Sequence, residues 1–312
     1  MASKTTKNII LVAGEALVDL IPPPGGGDSL QVVLGGSPFN TAIGLGRLGA
    51  PTAYAGRLSL DANGDRFAQA LSASGVSLDY VARDKAPSPL AYVTPGTAAS
   101  GPRYAFYLRA TAYDGPSPLP VKWPKQVAHL HIGSFAAVAG KSGAATLAAL
   151  KLAKTKASVS FDPNIRPFVL PAQKKVVPMV EERVALCGVV KVSDEDLEWL
   201  YPGRDPLEAA ASWLKAGPRL IVLTRGAKGA TAFAGKAHVT LPAPPIKLVD
   251  TVGAGDSFMS ALLTIMHEEG ALGAGLRAPD EAAMARWLAF AVKAAAITCG
   301  RKGADPPRRA EV

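Results

Sequence analysis

The heptapeptide Asp250-Thr251-Val252-Gly253-Ala254-Gly255-Asp256 leads from a short apolar segment (246–249) into a strongly apolar helical stretch (258–266). Gly253 and Gly255 have no side chain, so a ligand can approach their backbone closely. Because the turn opens a helix, its unpaired N–H groups and the helix dipole favour an anion there. Asp256 places a carboxylate beside that anion site, where it can accept the proton of a hydroxyl group that attacks phosphorus. The heptapeptide therefore predicts a strand–turn–helix unit suited to phosphoryl transfer.

Short apolar runs alternate with helical stretches along most of the chain. Each run has the length and composition of a buried strand, and stretches rich in alanine and leucine lie between several of them. This alternation predicts a three-layer α/β/α core, in which helices cover both faces of a mostly parallel sheet. A long alanine-rich helix is expected at about 280–299. The expected strands are 9–13, 127–132, 159–161, 189–192, 220–224 and 246–249.

Two regions break this rhythm, because strand-like segments there follow each other without a helix between them. Residues 90–94 and 103–109 flank a loop rich in Gly, Pro and Ser, which predicts a β-hairpin. We assign 20–34 and 90–113 to a small β-sheet lid over the carboxyl ends of the main strands, where open α/β sheets bind ligands. The core then consists of 1–19, 35–89 and 114–312, which makes one α/β domain with a discontinuous lid.

Composition limits the classes of protein to which the chain can belong. The 312 residues are 48% hydrophobic and 19% charged, which is typical of a globular chain. The net charge of +9 comes from dispersed basic residues, which favours an anionic small molecule over a nucleic acid as partner. No apolar run reaches the roughly 18 residues of a membrane span, so no membrane partner is expected. The two cysteines, Cys187 and Cys299, predict no disulfide framework and favour the reducing cytoplasm.

Three further patterns have a context that argues against a functional interpretation. Residues 44–49 match G-x-G-x-x-G, but they end a helical stretch instead of opening one, so helix packing explains them better than a dinucleotide site. Residues 140–142 resemble the end of a P-loop, but Phe135 stands where the first glycine is required, so we expect a turn that starts a helix. His129 and His131 share one face of a strand, and no third metal ligand has a suitable spacing, so we expect packed or hydrogen-bonded histidines.

Other glycine-rich or polar segments lie where strands end or helices begin. Gly35-Gly36-Ser37-Pro38-Phe39-Asn40 leads into a helix near Asp19. A carboxylate and an amide beside bare backbone suit vicinal hydroxyl groups, although a helix cap and a solvated Asp explain the same residues. Arg166 in Asp162-Pro163-Asn164-Ile165-Arg166 follows a strand, where it is either a solvated loop residue or a group that neutralises a transferring phosphoryl group. Residues 224–229 form either a tight hairpin or a contact to nucleotide phosphates.

Taken in order along nearly the whole chain, these elements resemble the PfkB-type, ribokinase-like carbohydrate kinases. The segment 35–49 is similar to the first signature of that family. The heptapeptide 250–256 with Phe258 resembles the second signature, which is highly specific. Arg301-Lys302-Gly303-Ala304 resembles the C-terminal segment of the family. Within the family, the segments 14–19, 106–107, 162–166 and 191–193 are most like those of fructokinases.

The resemblance implies a role for each matching residue, with ATP, Mg²⁺ and a monovalent cation, usually K⁺, as cofactors. Asp256 would be the catalytic base, and Arg166 would neutralise charge on the transferring group. The backbone N–H groups of Gly253, Ala254, Gly255 and Asp256 would form an anion hole. The implied substrate-binding residues are Asp19, Gly35, Gly36, Asn40, Phe106, Tyr107, Arg109 and Asn164. The implied nucleotide-binding residues are Lys191, Ser193, Thr224, Gly226, Gly229 and Gly255. The implied metal-binding residues are Asp196 for Mg²⁺, through water, and Asp250, Thr251, Thr298, Arg301 and Gly303 for the monovalent cation.

Two departures from the family pattern concern the metals. Ser193-Asp194-Glu195-Asp196 stands where the family has Asn-x-x-Glu, so the resemblance does not imply a direct metal contact of Ser193. Pro306-Pro307 stands where a hydroxyl-bearing residue often lies, which leaves the dependence on a monovalent cation open.

The implied activity is ATP-dependent phosphorylation of the primary hydroxyl of a sugar, with fructose as the expected acceptor. One alternative acceptor is 2-keto-3-deoxygluconate, for whose carboxylate Tyr107 and Arg109 would supply a phenolic and a cationic group; ribose or a nucleoside comes next. A non-catalytic sugar-binding regulator on the same fold is an alternative of another class, against which Asp256 and the intact anion hole argue. Because a lid sheet has open edges, which proteins usually cover, a homodimer formed through the lid is expected.

Overall fold

The computed structural model describes residues 8–23, 29–94 and 103–312, and within these ranges strands and helices follow each other along the chain. The strands are β1 (Ile9–Ala13), β2 (Leu17–Ile21), β3 (Gln31–Gly35), β4 (Thr52–Ala55), β5 (Arg57–Ser59), β6 (Ala82–Asp84), β7 (Leu90–Thr94), β8 (Arg103–Tyr107), β9 (Val127–Gly133), β10 (Ser158–Asp162), β11 (Val189–Ser193), β12 (Leu220–Thr224), β13 (Ala230–Ala234) and β14 (Ala237–Leu241). The α-helices are α1 (Ser37–Arg47), α2 (Ala62–Ala73), α3 (Ser134–Val138), α4 (Gly140–Ala153), α5 (Gln173–Val184), α6 (Asp194–Leu200), α7 (Pro206–Ser212), α8 (Ala254–Glu268) and α9 (Glu281–Cys299).

Eight strands form the main sheet in the order β14-β13-β12-β11-β10-β9-β1-β4. The strands from β12 to β4 run parallel, and β13 and β14 add an antiparallel hairpin at one edge. Alternate residues of one strand face opposite cores, because Ile10 and Val12 of β1 lie in one core and Leu11 and Ala13 in the other. A sheet that is buried on both faces needs helices on both. The predicted α/β/α core is therefore confirmed.

Helices α1, α8 and α9 cover one face of the main sheet, and α4, α5 and α7 cover the other. Among the described residues, α9 is the one helix that is long and apolar enough to cross a membrane by length and composition. However, its residues Met284, Leu288 and Ala291 are fully buried in the core, and the side chain of Asp280 caps its first turn. A core helix therefore accounts for its apolar character.

Four strands form a second, smaller sheet in the order β3-β2-β7-β8, which we call the lid sheet. Strands β7 and β8 pair antiparallel as the predicted hairpin, and their connection lies outside the described residues. The lid sheet begins at Leu17 and its strand β3 ends at Gly35, so the expected boundaries at 20 and 34 are corrected to 17 and 35. The reason is that Leu17 already packs with Ala91 and Phe135 in a small apolar cluster under the lid.

Residues 246–249 form no strand, contrary to the prediction from their apolar sequence. Ile246, Leu248 and Val249 are 43%, 63% and 54% exposed. Prolines at 242, 244 and 245 cannot donate hydrogen bonds to a sheet, so the chain leaves the sheet after β14. The N–H groups of Val249 and Asp250 instead donate to the carbonyl of Cys299 at the end of α9, at 2.9 and 3.2 Å.

The patterns that we set aside in the sequence have structural roles. Gly44 lies in α1, where a Cβ atom would collide with the side chain of Ser260, so close packing of α1 on α8 explains it. Gly140 is the first residue of α4, as expected. His129 and His131 are buried and hydrogen bonded to serines of β10, which confirms that interpretation.

Candidate active site

The carboxyl ends of the parallel strands bring most of the predicted site residues to one edge of the main sheet, as in other open α/β folds. Two non-glycine residues directly after these strands have a left-handed backbone, Ser134 after β9 with φ of 61° and Asn164 after β10 with φ of 39°. Such conformations are strained for residues with a Cβ atom and cluster at functional sites. The strained backbone at this edge therefore indicates a functional site.

The heptapeptide 250–256 forms the turn that starts α8. Gly253 precedes the helix with φ of 76°, and a Cβ atom there would lie 2.5 Å from the Cβ of Ala304, so the position requires glycine. The N–H of Ala254 donates to the Thr251 carbonyl at 3.2 Å, so it does not belong to the free groups of the expected anion hole. The N–H groups of Gly255 and Asp256 have no acceptor among the described residues. As unpaired donors of a helix N-terminus, they are suited to an anion.

The carboxylate of Asp256 is buried and held from the start of another helix. Ser37 Oγ donates to Asp256 Oδ1 at 2.6 Å, and Asn40 Nδ2 donates to Asp256 Oδ2 at 2.9 Å. Gly36 starts α1 with φ of 107°, and a Cβ atom there would lie 2.6 Å from the Glu15 carbonyl oxygen. The two glycine-rich segments of the sequence therefore meet at one carboxylate.

A buried ion pair lies beside this carboxylate. Lys191 Nζ is 2.9 Å from Asp162 Oδ2, and both side chains are almost inaccessible to solvent. The ammonium also lies 3.3 Å from the position that a Cβ atom of Gly255 would take, so it borders the turn of α8. Burial acts to lower the pKa of Lys191, but Asp162, Asp196 and Asp256 outweigh it and raise that pKa. Burial raises the pKa of Asp162 to about 6, and the charge of Lys191 acts in the opposite direction. The ammonium is therefore a fixed positive charge at the anion site.

A second polar group at the site belongs to the lid sheet. Asp19 lies on β2, and its carboxylate is so close to Gly35 that a Cβ atom there would collide with Oδ2. Burial raises the pKa of Asp19 to about 6, and the positive charge of Arg166 acts in the opposite direction. Arg166 and Asn164 are half-buried, and Arg166 donates to the Ile165 carbonyl at 3.0 Å. Asp19, Gly35 and Arg166 are thus brought together across the lid and the core.

The inner face of β8 differs from the prediction. Phe106 faces inward and packs against Phe135, with ring centroids 5.6 Å apart, as expected for a residue that lines the site. Tyr107 is 60% exposed on the opposite face and Arg109 is exposed too, so the structure brings neither of these predicted substrate-binding side chains to the inner face. The reason is the two-residue period of a strand, which turns neighbours to opposite faces. Tyr104, which the sequence analysis missed, shares the inner face with Phe106, and burial and the charge of Asp19 raise its pKa.

Apart from Lys191 and Gly255, described above, the predicted nucleotide-binding residues lie at the ends of β11 and β12 and in the hairpin after β12. Ser193 and Thr224 pair across these strands, and Thr224 Oγ1 donates to the Val192 carbonyl at 3.4 Å. Residues 225–229 form a tight hairpin, in which Arg225 N donates to the Gly229 carbonyl at 2.8 Å. Gly229 has φ of 82°, and a Cβ atom there would collide with the Leu241 carbonyl oxygen. Gly226 is exposed at the tip, so the hairpin presents bare backbone at the site edge.

Asp196, predicted to act on Mg²⁺ through water, is buried and already bound by backbone groups. Its Oδ1 accepts from Ile165 N at 2.7 Å and its Oδ2 from Ser193 N at 3.2 Å, while Ser193 Oγ accepts from Asp196 N at 3.0 Å. Ser193 and Asp196 form a capping box at the start of α6, and the bond from Ile165 ties it to the loop after β10. Within the described residues, no cluster of His, Cys, Asp or Glu side chains of a size that holds a metal by itself is present.

The residues predicted for a monovalent cation lie behind the turn of α8. Asp250 Oδ1 accepts from Val252 N at 3.0 Å and Asp250 Oδ2 accepts from Gly303 N at 2.8 Å, which ties the C-terminal loop to the turn. Thr298 is fully buried, and its hydroxyl donates to Ser257 Oγ at 2.8 Å. The guanidinium of Arg301 pairs with acidic groups of the C-terminal segment, so only its backbone is left for a cation. Thr251 is exposed beside Asp250.

Glu15 is a buried acid that the sequence analysis did not assign. Burial raises the pKa of Glu15 to about 8, with the negative charge of Asp256 adding to this, while a hydrogen bond from Ser134 and the charge of Arg166 act in the opposite direction. Its Oε2 has no hydrogen-bond partner among the described residues. The acid therefore lies close to the catalytic groups, and its raised pKa favours the protonated form.

Comparison with known proteins agrees with this geometry. Residues 7–310 match the family described as "pfkB family carbohydrate kinase". The chain belongs to this family. It is 35% identical over 271 residues to a fructokinase of Rhizobium leguminosarum bv. trifolii, which covers 85% of this chain and 81% of that protein.

Solved structures of PfkB kinases have the same fold over nearly the whole chain. A fructokinase of Xylella fastidiosa with bound ATP has a TM-score of 0.85 and 25% identity, and covers 98% of this chain and 97% of its own. A double mutant of the Vibrio cholerae O395 fructokinase, in a form with bound fructose, ADP and potassium ion, has a TM-score of 0.81 and 26% identity, and covers 95% of this chain and 94% of its own. The expected ribokinase-like fold is confirmed, and the chain is a phosphotransferase of this family.

Proposed function

We propose that this protein is a fructokinase, which transfers the γ-phosphoryl group of ATP to a primary hydroxyl of fructose. The observation that carries the proposal is the buried Asp256 carboxylate in the first turn of α8. It accepts hydrogen bonds from the hydroxyl of Ser37 and from the amide of Asn40, both in α1. The relatives named fructokinase, and the fructose, ADP and ATP bound to the Xylella and Vibrio proteins, support the choice of substrates.

The residues of the site have separate roles in the proposed reaction. Asp256 accepts the proton as the sugar hydroxyl attacks the γ-phosphorus, and the free N–H groups of Gly255 and Asp256 bind the negative charge on the transferring group. Lys191 adds a fixed positive charge next to that turn. The lid carries Asp19 and Phe106 over the sugar and so helps to exclude water, which would otherwise accept the phosphoryl group.

The metal ions belong to the proposal as well. Mg²⁺ commonly binds through substrate phosphates and waters with only one or two carboxylates, so the single acidic residue Asp196, acting through water, fits such a site. A monovalent cation would be held by oxygens of the turn and of the C-terminal loop, where Asp250 already ties the two together. In that position the ion would strengthen the positive end of α8.

The lid geometry argues against 2-keto-3-deoxygluconate as the substrate. That acid needs a cationic or phenolic partner for its carboxylate, and Tyr107 and Arg109 were the expected partners. Both are exposed, and Tyr107 lies on the outer face of β8. The inner face presents Phe106, Tyr104 and, beside them, the carboxylate of Asp19, whose negative charge disfavours an acidic sugar, so a neutral sugar is the better match.

The test is a side-by-side assay of the purified protein with ATP on fructose, 2-keto-3-deoxygluconate, ribose and adenosine, followed by ADP release. We expect fructose to give the highest kcat/KM. A kcat/KM for fructose below about a tenth of the best substrate would overturn the choice of sugar. Sugar binding without ADP release on any of the substrates would overturn the assignment as a kinase and favour a regulator.

The proposal also includes assembly and location. Val32 of β3 and Tyr107 of β8 are exposed apolar groups on the two edge strands of the lid sheet, so a homodimer through the lid would cover them. A monomer by light scattering would contradict this. A cytoplasmic location would keep the free thiols of Cys187 and Cys299 reduced.

A further inference from the structure

A row of buried polar side chains crosses one face of the main sheet, where apolar residues are expected. Register pairs Ser158 of β10 with His129 of β9, and Ser160 with His131, so all four side chains share a face. His129, His131 and Ser160 are completely inaccessible to solvent. Burial of this many polar groups is costly unless each one is hydrogen bonded. Each of these side chains therefore needs a hydrogen-bond partner inside the protein.

The four side chains form one continuous hydrogen-bonded chain. His129 Nδ1 lies 2.7 Å from Ser158 Oγ, and His129 Nε2 lies 2.7 Å from Ser160 Oγ. Ser160 Oγ lies 2.9 Å from His131 Nδ1. At the far end, the backbone N–H of Gly273, in the loop between α8 and α9, donates to Ser158 Oγ at 2.8 Å.

The Gly273 end fixes the direction of every hydrogen bond in the chain. Because Ser158 Oγ accepts from Gly273, its own proton is satisfied only by donation to His129 Nδ1. A neutral imidazole has one N–H, so His129 must carry it on Nε2 and donate it to Ser160. Ser160 in turn donates to His131 Nδ1, which leaves the N–H of His131 on Nε2. The chain therefore delivers a donor at its active-site end.

The donor end of the chain lies near the ion pair of the active site, close enough for the charge of Lys191 to act on the ring of His131. His131 Nε2 and Asp162 Oδ1 are both buried, and neither has a hydrogen-bond partner among the described residues. Both groups border the space beside Gly133, because a Cβ atom there would lie 3.7 Å from His131 Nε2 and 3.7 Å from Asp162 Cβ. The other oxygen of Asp162 binds Lys191 at 2.9 Å. The unpaired donor and the carboxyl group that carries the unpaired acceptor thus both lie next to Gly133.

We propose that His131 is a positioning residue, whose Nε2–H is directed at the free oxygen of Asp162 and so holds the Asp162–Lys191 pair against the first turn of α8. Its effect on catalysis rests on the proposed kinase function, since the residue acts through Lys191 and not on the substrate. Burial, with the positive charge of Lys191 adding to it, lowers the pKa of His131 to about 3, which agrees with a neutral ring. His129 is equally buried but lies one step away from the pair, so it offers a matched control.

The first arm of the test reads the tautomer in the unmodified protein. The chain has four histidines, so a long-range ¹H–¹⁵N correlation spectrum of protein labelled with ¹⁵N-histidine resolves each ring. We expect His129 and His131 to carry their proton on Nε2 and to have a bare Nδ1. A His131 ring protonated on Nδ1 would overturn the proposal. This arm needs no kinase activity, so it stands even if the proposed function fails.

The second arm compares His131→Leu with His129→Leu. Loss of a hydrogen bond to a charged group is expected to lower kcat of His131→Leu by roughly tenfold or more, with KM for the sugar within about twofold. His129→Leu leaves the hydroxyl of Ser160 to donate to His131 Nδ1, so it should lower kcat by a smaller factor than His131→Leu, and His131→Gln, whose amide N–H reaches towards the Nε2 position, should recover part of the loss. Equal losses of kcat per folded molecule in the two leucine variants would show an ordinary buried histidine and would overturn the proposal.

Discussion

Helices α1 and α8 start at the same edge of the sheet, and they differ in what their first turns carry. Each is preceded by a glycine with positive φ, Gly36 at 107° and Gly253 at 76°, and neither has a side-chain cap. The first turn of α1 holds no acidic residue, whereas that of α8 holds Asp256. An uncapped N-terminus leaves its N–H groups free, so both starts are available to ligands.

The two helix starts contribute different chemical groups to one site. Helix α1 supplies donors, because its Ser37 and Asn40 both hydrogen bond to the carboxylate of Asp256. Helix α8 supplies that carboxylate and, next to it, free N–H groups with Lys191 alongside. We therefore expect changes in α8 to act mainly on kcat, and changes at the start of α1 to act on both the base and the binding of the sugar.

Asp256→Asn should give the largest effect. The amide keeps the shape of the side chain but cannot accept the proton of the attacking hydroxyl, so kcat should fall by about 10²–10⁴. The measurement is steady-state ADP release with fructose. Thermal unfolding of the variant serves as the control for folding, and a near-normal kcat would show that Asp256 is not the base.

Gly253→Ala should come next. A left-handed backbone costs an alanine about 1–2 kcal/mol, and its methyl would lie 2.5 Å from Ala304 Cβ, so the turn has to shift. A shift of about 1 Å at a catalytic turn can lower kcat on the order of 10²-fold. Gly140→Ala is the matched control, because Gly140 also starts a helix with φ of 66° but has open space around it. If both variants lose the same activity, the collision with Ala304 has no role.

Asn40→Ala and Ser37→Ala test the donors of α1. Each removes a hydrogen bond to a charged group, which is worth about 1.5–3 kcal/mol, so kcat should fall roughly 10- to 150-fold. Only Asn40→Ala should also raise KM for fructose, because Asn40 is the predicted contact to the sugar. Equal KM values in the two variants would remove Asn40 from the sugar site.

Glu15→Gln tests the acid under the start of α1 through stability. The folded pKa of about 8 lies above the ordinary value of 4.5, so its stabilising effect is complete below about pH 4.5 and is lost as the pH rises through 8. One proton corresponds to at most about 1.4 kcal/mol per pH unit in that window. Urea unfolding at pH 5.5 and 8.5 should show a larger loss of free energy for the unmodified protein than for Glu15→Gln. Asp19, whose pKa is also raised, is present in both proteins, so its contribution to the loss of unfolding free energy cancels when the two are compared.

Sequence reasoning reached the parts of the site that lie in contiguous residues. The heptapeptide carries the glycines, the helix start and Asp256 together, so its chemistry could be derived without a fold. The partners of Asp256 come from 216 and 219 residues away, and no local pattern specifies that contact. The ion pair of Lys191 with Asp162 likewise depends on two strand ends lying side by side.

Two differences between the structure and the expectations from the sequence have simpler causes. The apolar residues 246–249 satisfied the composition of a strand, but the prolines at 242, 244 and 245 already argued against a further sheet strand. On β8, the two-residue period of a strand places Phe106 and Tyr104 on one face and Tyr107 on the other. The sequence therefore contained the signal for the inner face of the lid.

Tyr104→Phe should give the smallest effect and tests that face directly. Removing one neutral hydrogen-bonding group near Asp19 is worth about 0.5–1.5 kcal/mol, so KM for fructose should rise roughly 2- to 10-fold. Tyr107→Phe is the control on the same strand, and its exposed side chain predicts a change of less than about twofold. KM is measured for fructose and for ATP, since a lid residue should leave KM for ATP unchanged. If Tyr107→Phe raised KM for fructose more than Tyr104→Phe did, the outer face of the lid would contact the sugar. The lid would then act less as a cover of its own site than as a surface shared with a second subunit.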